Sequence, residues 1–189
     1  LTDNNAQVAG NTSTARETGG LGAWIATNDV LGSGGASPTG DGTDARTDGT
    51  QAAFTETMLK TAMQNAFTSG GTPSILMVGP FNKTVVSGFA GIAAQRYMAP
   101  TDAPTTIIGA ADVYLSDFGT LSVTTNLFQR ERDAFLLDPE YASVAYLRPI
   151  QNVELAKTGD ASKSMLLVEA GLEVGNEAAH AGVFDLSTS

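Results

Sequence analysis

The sequence predicts an α+β domain in which helices pack on a mostly antiparallel sheet. Three observations carry that reading. Helix-period stretches surround a short apolar run in residues 55–92, two-residue alternation dominates residues 112–126 and 143–186, and no catalytic constellation interrupts the strands. Such a chain reads as a building block, not an enzyme.

Residues 1–50 consist mostly of Gly, Thr, Ser, Asn and Asp, with only Leu21, Trp24, Ile25, Val30 and Leu31 to anchor them. A loop of that length in a compact domain is functional, disordered or held by a neighbouring chain. Trp24 is therefore a candidate subunit-interface residue, with a flexible surface loop as the plainer alternative.

A helix follows, with Thr55 as its N-cap. Met58, Leu59, Ala62, Met63, Ala66 and Phe67 recur at three- and four-residue steps, a core-facing stripe that Ser69-Gly70-Gly71 ends. Ile75–Gly79 is a continuous apolar run of the kind found in buried strands. Pro80-Phe81-Asn82 opens a second helix with Asn82 as its cap, and Val85, Val86, Phe89 and Ile92 lie on or near its inward side.

From Val113 to Val123, apolar residues occupy every second position on each side of a Ser116-Asp117-Phe118-Gly119 turn, which predicts a hairpin. Ser143–Arg148 and Asn152–Ala156 are two shorter strands, and Lys157–Lys163 supplies Gly, Asp and Ser for a tight turn. The long stretch Met165–Gly175 then places Leu166, Val168, Ala170, Leu172 and Val174 on one face, predicted to be a core face. Leu167, Glu169, Gly171 and Glu173 form a largely polar opposite face. No internal repeat of fixed period is present.

Composition narrows the function. The 189-residue chain can bury a full core, and its net charge of −10 without a basic cluster argues against a groove that tracks nucleic-acid phosphates. The absence of Cys removes disulfides, thiolate nucleophiles and Cys-ligated metals together. No apolar run approaches the roughly 20 residues of a membrane-spanning helix, so no membrane is expected as a partner. The opening Leu1 in place of an initiator Met predicts a chain that begins inside a longer reading frame.

Each chemical candidate has a plainer reading. His180 is the single histidine, without a Gly-x-Ser-x-Gly elbow to serve, and reads as a solvated or capping residue. Asp117-Phe118-Gly119 spells a kinase metal-binding tripeptide but lacks the other kinase motifs, so it reads as a hairpin turn. Gly32–Gly35 and Lys157–Asp160 lack phosphate-loop spacing. Asp138 with Glu140, or Glu169 with Glu173, could serve a carboxylate-dependent glycoside hydrolase, but 20 acidic residues produce such pairs by chance. No catalytic residue, cofactor or metal is assigned. The densest charge cluster, Arg130-Glu131-Arg132-Asp133, is either a solvated loop of compensated charges or a ring of alternating charges fixing register between subunits. Those four residues join Trp24 as subunit-interface candidates.

Several segments together carry a family resemblance. Thr55–Met58, Gly70–Pro73, Lys83, Ser87–Phe89, Ser116–Gly119, Leu121–Asn126, Tyr146–Pro149, Leu155–Asp160 and Glu169–Glu177 stand in the order seen in tailed-phage major capsid proteins. The chain resembles the carboxy-terminal portion of that family, and the resemblance implies the Hong Kong 97-type fold. It implies a linker in residues 1–20, an axial-domain-like α+β region in 21–160 and the returning strand of the peripheral domain in 161–189. The family's arm, extended loop and spine helix should precede residue 1.

The implied function is a structural subunit that self-assembles into hexamers and pentamers of an icosahedral capsid around double-stranded DNA, without sequence-specific binding. Scaffolding protein, portal and decoration proteins are the further partners implied. The implied location is the virion, after assembly in the host bacterial cytoplasm. An encapsulin-type nanocompartment shell is the alternative with the same fold.

Overall fold

The computed structural model describes residues 1–89, 112–157 and 159–188. Ile92 of the second predicted helix and Thr158 of the predicted turn lie outside them. The architecture is α+β. Eight strands are described: β1 (Asp29–Val30), β2 (Ile75–Val78), β3 (Val113–Ser116), β4 (Gly119–Thr125), β5 (Ala134–Leu137), β6 (Ala142–Glu154), β7 (Ser164–Val174) and β8 (Ala181–Val183). Three α-helices accompany them: α1 (Leu21–Trp24), α2 (Glu56–Thr68) and α3 (Pro80–Ser87).

Six strands form one mixed sheet in the order β1-β8-β5-β2-β4-β3. The β1–β8 and β2–β4 pairs are parallel, and the other three pairs are antiparallel. Strand alternation sorts the buried side chains into two clusters. Leu76, Val78, Ala134, Leu136, Ala181 and Val183 join the α2 stripe and Val86 of α3, whereas Phe135, Phe184 and Met77 pack with Leu21 and Ile25. Two-residue periodicity in the central strands thus assigns one set of residues to each cluster.

Helix α2 follows its sequence signal. The Thr55 side chain accepts from the Met58 N–H at 3.3 Å, and Leu59, Ala62, Met63 and Ala66 are buried. Phe67 departs from the predicted core stripe: it is exposed and meets the Phe118 ring of the β3–β4 turn at 5.5 Å. That turn is the predicted hairpin turn, with Ser116 paired to Gly119 and the Phe118 N–H donating to Ser116 Oγ at 3.2 Å.

Helix α3 begins two residues before its predicted cap. Gly79 is the N-cap residue, Pro80 occupies the first turn, and Asn82 is fully buried within the helix. A distant residue does the capping. Glu131 Oε1 accepts from the Phe81 N–H at 2.5 Å and the Asn82 N–H at 3.3 Å, while Asn82 Nδ2 donates to the Glu131 carbonyl at 2.6 Å. A carboxylate at a helix N-terminus satisfies orphan donors and complements the helix dipole.

The predicted pair of short strands in residues 143–156 is one 13-residue strand, β6, which runs through Pro149. Proline cannot donate to a ladder, and the irregularities between Tyr146 and Arg148 and between Arg148 and Gln151 absorb it as bulges. Among the described residues β6 pairs only with β7, forming a two-stranded sheet separate from the main one.

The predicted core face of β7 is a second departure. Leu172 packs against the cluster around Phe135 and Phe184, but Leu166, Val168 and Ala170 face solvent. Among the described residues, segments 7–9 and 16–18 line a groove with Val168 and Ala170 without burying them.

Candidate assembly surface

The interface candidates Arg130–Asp133 sit in the connection from β4 to β5, where chain reversal makes the Asp133 N–H donate to the Arg130 carbonyl at 3.1 Å. Gln129 tightens the turn, its Nε2 donating to the Asp133 carbonyl at 2.5 Å and to the Met77 carbonyl at 3.2 Å. The four charged side chains point back into the same subunit. Arg130 pairs with Asp48 at 2.6 Å, and Arg132 pairs with Asp48 at 3.2 Å and Asp185 at 2.6 Å.

Asp185 is the centre of this clasp. Its carboxylate accepts from the Gly32 N–H at 3.1 Å and the Gly49 N–H at 2.8 Å, as well as from Arg132. It holds φ at 62°, in the left-handed region, directly after β8 and Phe184. The result pins residues 32–49 onto the end of the sheet by polar contacts, where the sequence offered few apolar anchors.

Asp133 is the least solvated charge of the group, at 1% exposure. Its two carboxylate oxygens have no hydrogen-bond partner among the described residues, and its ion pair with Arg130 Nε is long at 3.7 Å. Burial pushes its pKa up to about 6, with Arg130 and Arg46 opposing the rise. Desolvation outweighs the neighbouring positive charges here.

Trp24 turns inward rather than standing free. Its indole packs under Gly42, where an added Cβ would lie 2.8 Å from the ring, and its Nε1 is buried without a partner among the described residues. Gly42 has φ 76°, so glycine serves both the turn and the close approach. Sequence reasoning brought Trp24 and the 130–133 cluster together as interface candidates; the structure places each of them in intrachain contacts.

Arg46 was missed altogether. It is buried, with Nε donating to the Gly22 carbonyl at 3.1 Å, one terminal nitrogen to the Ile25 carbonyl at 2.7 Å, and the other pairing with Asp29 at 3.5 Å. Burial lowers its pKa to about 10, which leaves it charged at neutral pH. The signal available was slight: Arg46 is the one basic residue between Arg16 and Lys60.

The candidate chemical groups also have structural partners. His180 is fully buried, not solvated, and its Nδ1 accepts from the Asp138 N–H at 3.2 Å. Burial lowers its pKa and favours the neutral ring. Asp138 accepts from Thr72 and from the Glu140 N–H, Glu169 pairs with Arg148, and Glu173 accepts from Ser143. Among the described residues, no group of three or more acidic or histidine side chains could hold a metal ion.

What remains is surface. The β6–β7 hairpin stands clear of the main sheet, and a groove of about 760 Å³ separates its base from the ribbon of residues 7–18. The Leu172 N–H donates to Thr18 Oγ1 at 3.1 Å along that groove.

The family model for the SU10 major capsid protein matches residues 1–187. The chain belongs to the SU10 major capsid protein family. No curated protein matches it. A phage major capsid protein is a structural component of the virion, and its membership of a self-assembling shell gives the exposed hairpin a context. Among the described residues no helix is long and apolar enough to cross a membrane.

Proposed function

We propose that this capsid protein assembles into hexamers and pentamers of an icosahedral phage head that encloses double-stranded DNA. Membership of the SU10 major capsid protein family over residues 1–187 is the observation that carries the reading. A Hong Kong 97-type fold is the corresponding architecture, with residues 21–160 as the axial part and residues 161–189 returning to the peripheral part. The mixed α+β content supports it.

The net charge of −10 suits a container for DNA, because a strongly basic inner wall would bind the genome through counterion release. DNA is accordingly enclosed without sequence-specific recognition. Scaffolding, portal and decoration proteins would act on the assembled lattice in the bacterial cytoplasm. Arg130 and Arg132 keep partial exposure beside Asp48, so the clasp they form could meet a neighbouring subunit at its outer rim. Buried Asp133 pairs with Arg130 behind that rim, while Glu131 caps α3 and Trp24 packs under Gly42, the two remaining interface candidates.

The test is negative-stain electron microscopy with light scattering on the protein expressed from its full-length reading frame. Closed shells or hexamer rings are expected. A persistent monomer, with no dependence on a scaffold, would overturn the proposal.

A further inference from the structure

Asp133 belongs to a charged cluster that is one positive group short. Among the described residues, Asp29, Asp48, Asp133 and Asp185 meet Arg46, Arg130 and Arg132 in pairs at 2.6–3.7 Å. Four carboxylates face three guanidiniums. Asp29 has Arg46, Asp48 has both Arg130 and Arg132, and Asp185 has Arg132 together with two backbone N–H groups. Asp133 is left with the surplus: it is buried, and neither of its oxygens accepts a hydrogen bond among the described residues. An ionised carboxylate so placed is costly, and a proton removes the charge.

The donor on offer to Asp133 is already committed. Arg130 Nε stands 3.7 Å away, while a terminal nitrogen of the same guanidinium holds Asp48 at 2.6 Å. Asp133 and Asp48 therefore compete for one arginine, and they also repel one another. The remaining charges facing Asp133 are Arg132 from its own connection and Arg46 from the loop beside Asp48. Asp29 and Asp185 act on Arg46, and Asp3 acts on Arg130. Glu131 is turned away to the start of α3.

Asp48 lies on the weakest part of this cover. Residues 33–36 and 47–50 form a small flap in which Ala36 and Thr47 exchange N–H groups at 3.0 Å and the Thr50 N–H donates to the Ser33 carbonyl at 2.8 Å. From residue 33 to residue 50 the buried positions are Pro38, Gly42 and Arg46. Arg46 is held separately by the Gly22 and Ile25 carbonyls. The tip of the flap depends on the Asp48 ion pairs and on the Gly49 contacts with Asp185 and Arg132, each at 2.8 Å. On its other side Asp133 leads directly into β5, which lies in the interior of the six-stranded sheet. Segments with few buried apolar contacts open at the lowest free energy, so the flap, not the sheet, is where water can reach Asp133.

We propose that Asp133 is a proton-operated latch: when protonated it leaves Arg130 to hold Asp48 and the flap stays closed, and when ionised it draws Arg130 away and the flap opens. Burial pushes the Asp133 pKa up to about 6, which places the change just below neutral pH. The Asp48 side chain is 39% exposed and those of Arg130 and Arg132 just over 20%, so the rearrangement alters charge at the surface of the subunit.

Amide hydrogen exchange tests the latch. Protection factors, which remove the intrinsic pH dependence of exchange, are compared at pH 5 and pH 7.5 for the Thr47 and Thr50 amides and for the amides of β2 and β5. Protection at Thr47 and Thr50 should fall roughly tenfold over that interval, the change allowed by a pKa of about 6 in the closed form and 3.8 in the open form, while β2 and β5 change little. Asp133→Asn should abolish the step and keep the flap protected at both pH values. Asp48→Asn frees Arg130 for Asp133 and should shrink the step to less than about threefold. Flat protection at Thr47 and Thr50 in the unmodified protein overturns the proposal without recourse to any variant. So does an equal loss in β2 and β5, which would show the proton acting on the whole fold, and so does a step that survives in either variant.

Discussion

Arg46 lies flat over the ring of Phe184, its guanidinium carbon 3.1 Å from the ring centroid. Gly182 also approaches that ring, so close that an added Cβ would sit 2.3 Å from Phe184. A residue from the irregular first quarter of the chain is thereby locked to the strand that follows His180. Its hydrogen bonds to Gly22 and Ile25 close the same unit, so local loop order and sheet packing depend on one cation.

Arg46→Ala removes the cation, leaves two carbonyls without their donor and strands Asp29. Loss of one partner of a buried pair is expected to destabilise the subunit by about 3–5 kcal/mol. Arg46→Lys should recover less than half of that loss, because an ammonium cannot reach both carbonyls and lie flat on the ring. Urea unfolding of the three proteins measures both effects.

Glu131 caps a helix from 50 positions away in sequence, so its removal should be felt in α3. Glu131→Ala is expected to cost about 1–2 kcal/mol, the range seen for loss of a helix cap. Amide hydrogen exchange at Phe81 and Asn82 should accelerate more than at β2. Unchanged exchange at those two amides would reject the capping role.

Asp133 sets a pH dependence with a definite sign. Its folded-state pKa of about 6 lies above the ordinary aspartate value of 3.8, so between those values the folded state binds more protons than the unfolded state. Its contribution to stability therefore falls as pH rises from about 4 to 6, by no more than about 3 kcal/mol. Asp133→Asn should become progressively more stable relative to the unmodified protein across that window. Parallel Tm–pH curves for the two proteins would contradict the assignment.

Gly42→Ala combines a φ of 76° with a methyl placed 2.8 Å from the Trp24 ring. A non-glycine residue in that backbone region costs on the order of 1–3 kcal/mol before the clash is counted. Trp24 is the only tryptophan, so a shift in its emission spectrum reports the displaced indole directly. An unchanged spectrum and Tm would show that the loop relaxes freely.

Helix α2 and the β3–β4 hairpin were legible because periodicity, cap and turn residues agree locally. The fault at Asn82 has a physical origin: a good N-capping residue stood near the helix start, while the true cap came from Glu131, which no local pattern reveals. β6 was divided because Pro149 ordinarily ends a strand, and only the partner strand shows that bulges accommodate it. Arg46 and Asp185 escaped notice because polar clasps depend on contacts between distant segments and have no period. The face of β7 was read as a core face, and among the described residues only Leu172 reaches a core cluster while Leu166, Val168 and Ala170 are exposed. Alternation reports that a face is made for burial, not which segment buries it.

Strand β8 lies between β1 and β5, so the neighbours it joins come from opposite parts of the sequence. Its buried residues, with Phe184 and Leu186, complete both clusters of the core and the Asp185 clasp after the other strands have been synthesised. The ribosome must therefore release residues 181–186 before β1 can join the rest of the sheet. Synthesis itself then acts as an inspection step: a prematurely terminated polypeptide lacks the keystone of its own sheet and is a poor competitor for a place in the lattice.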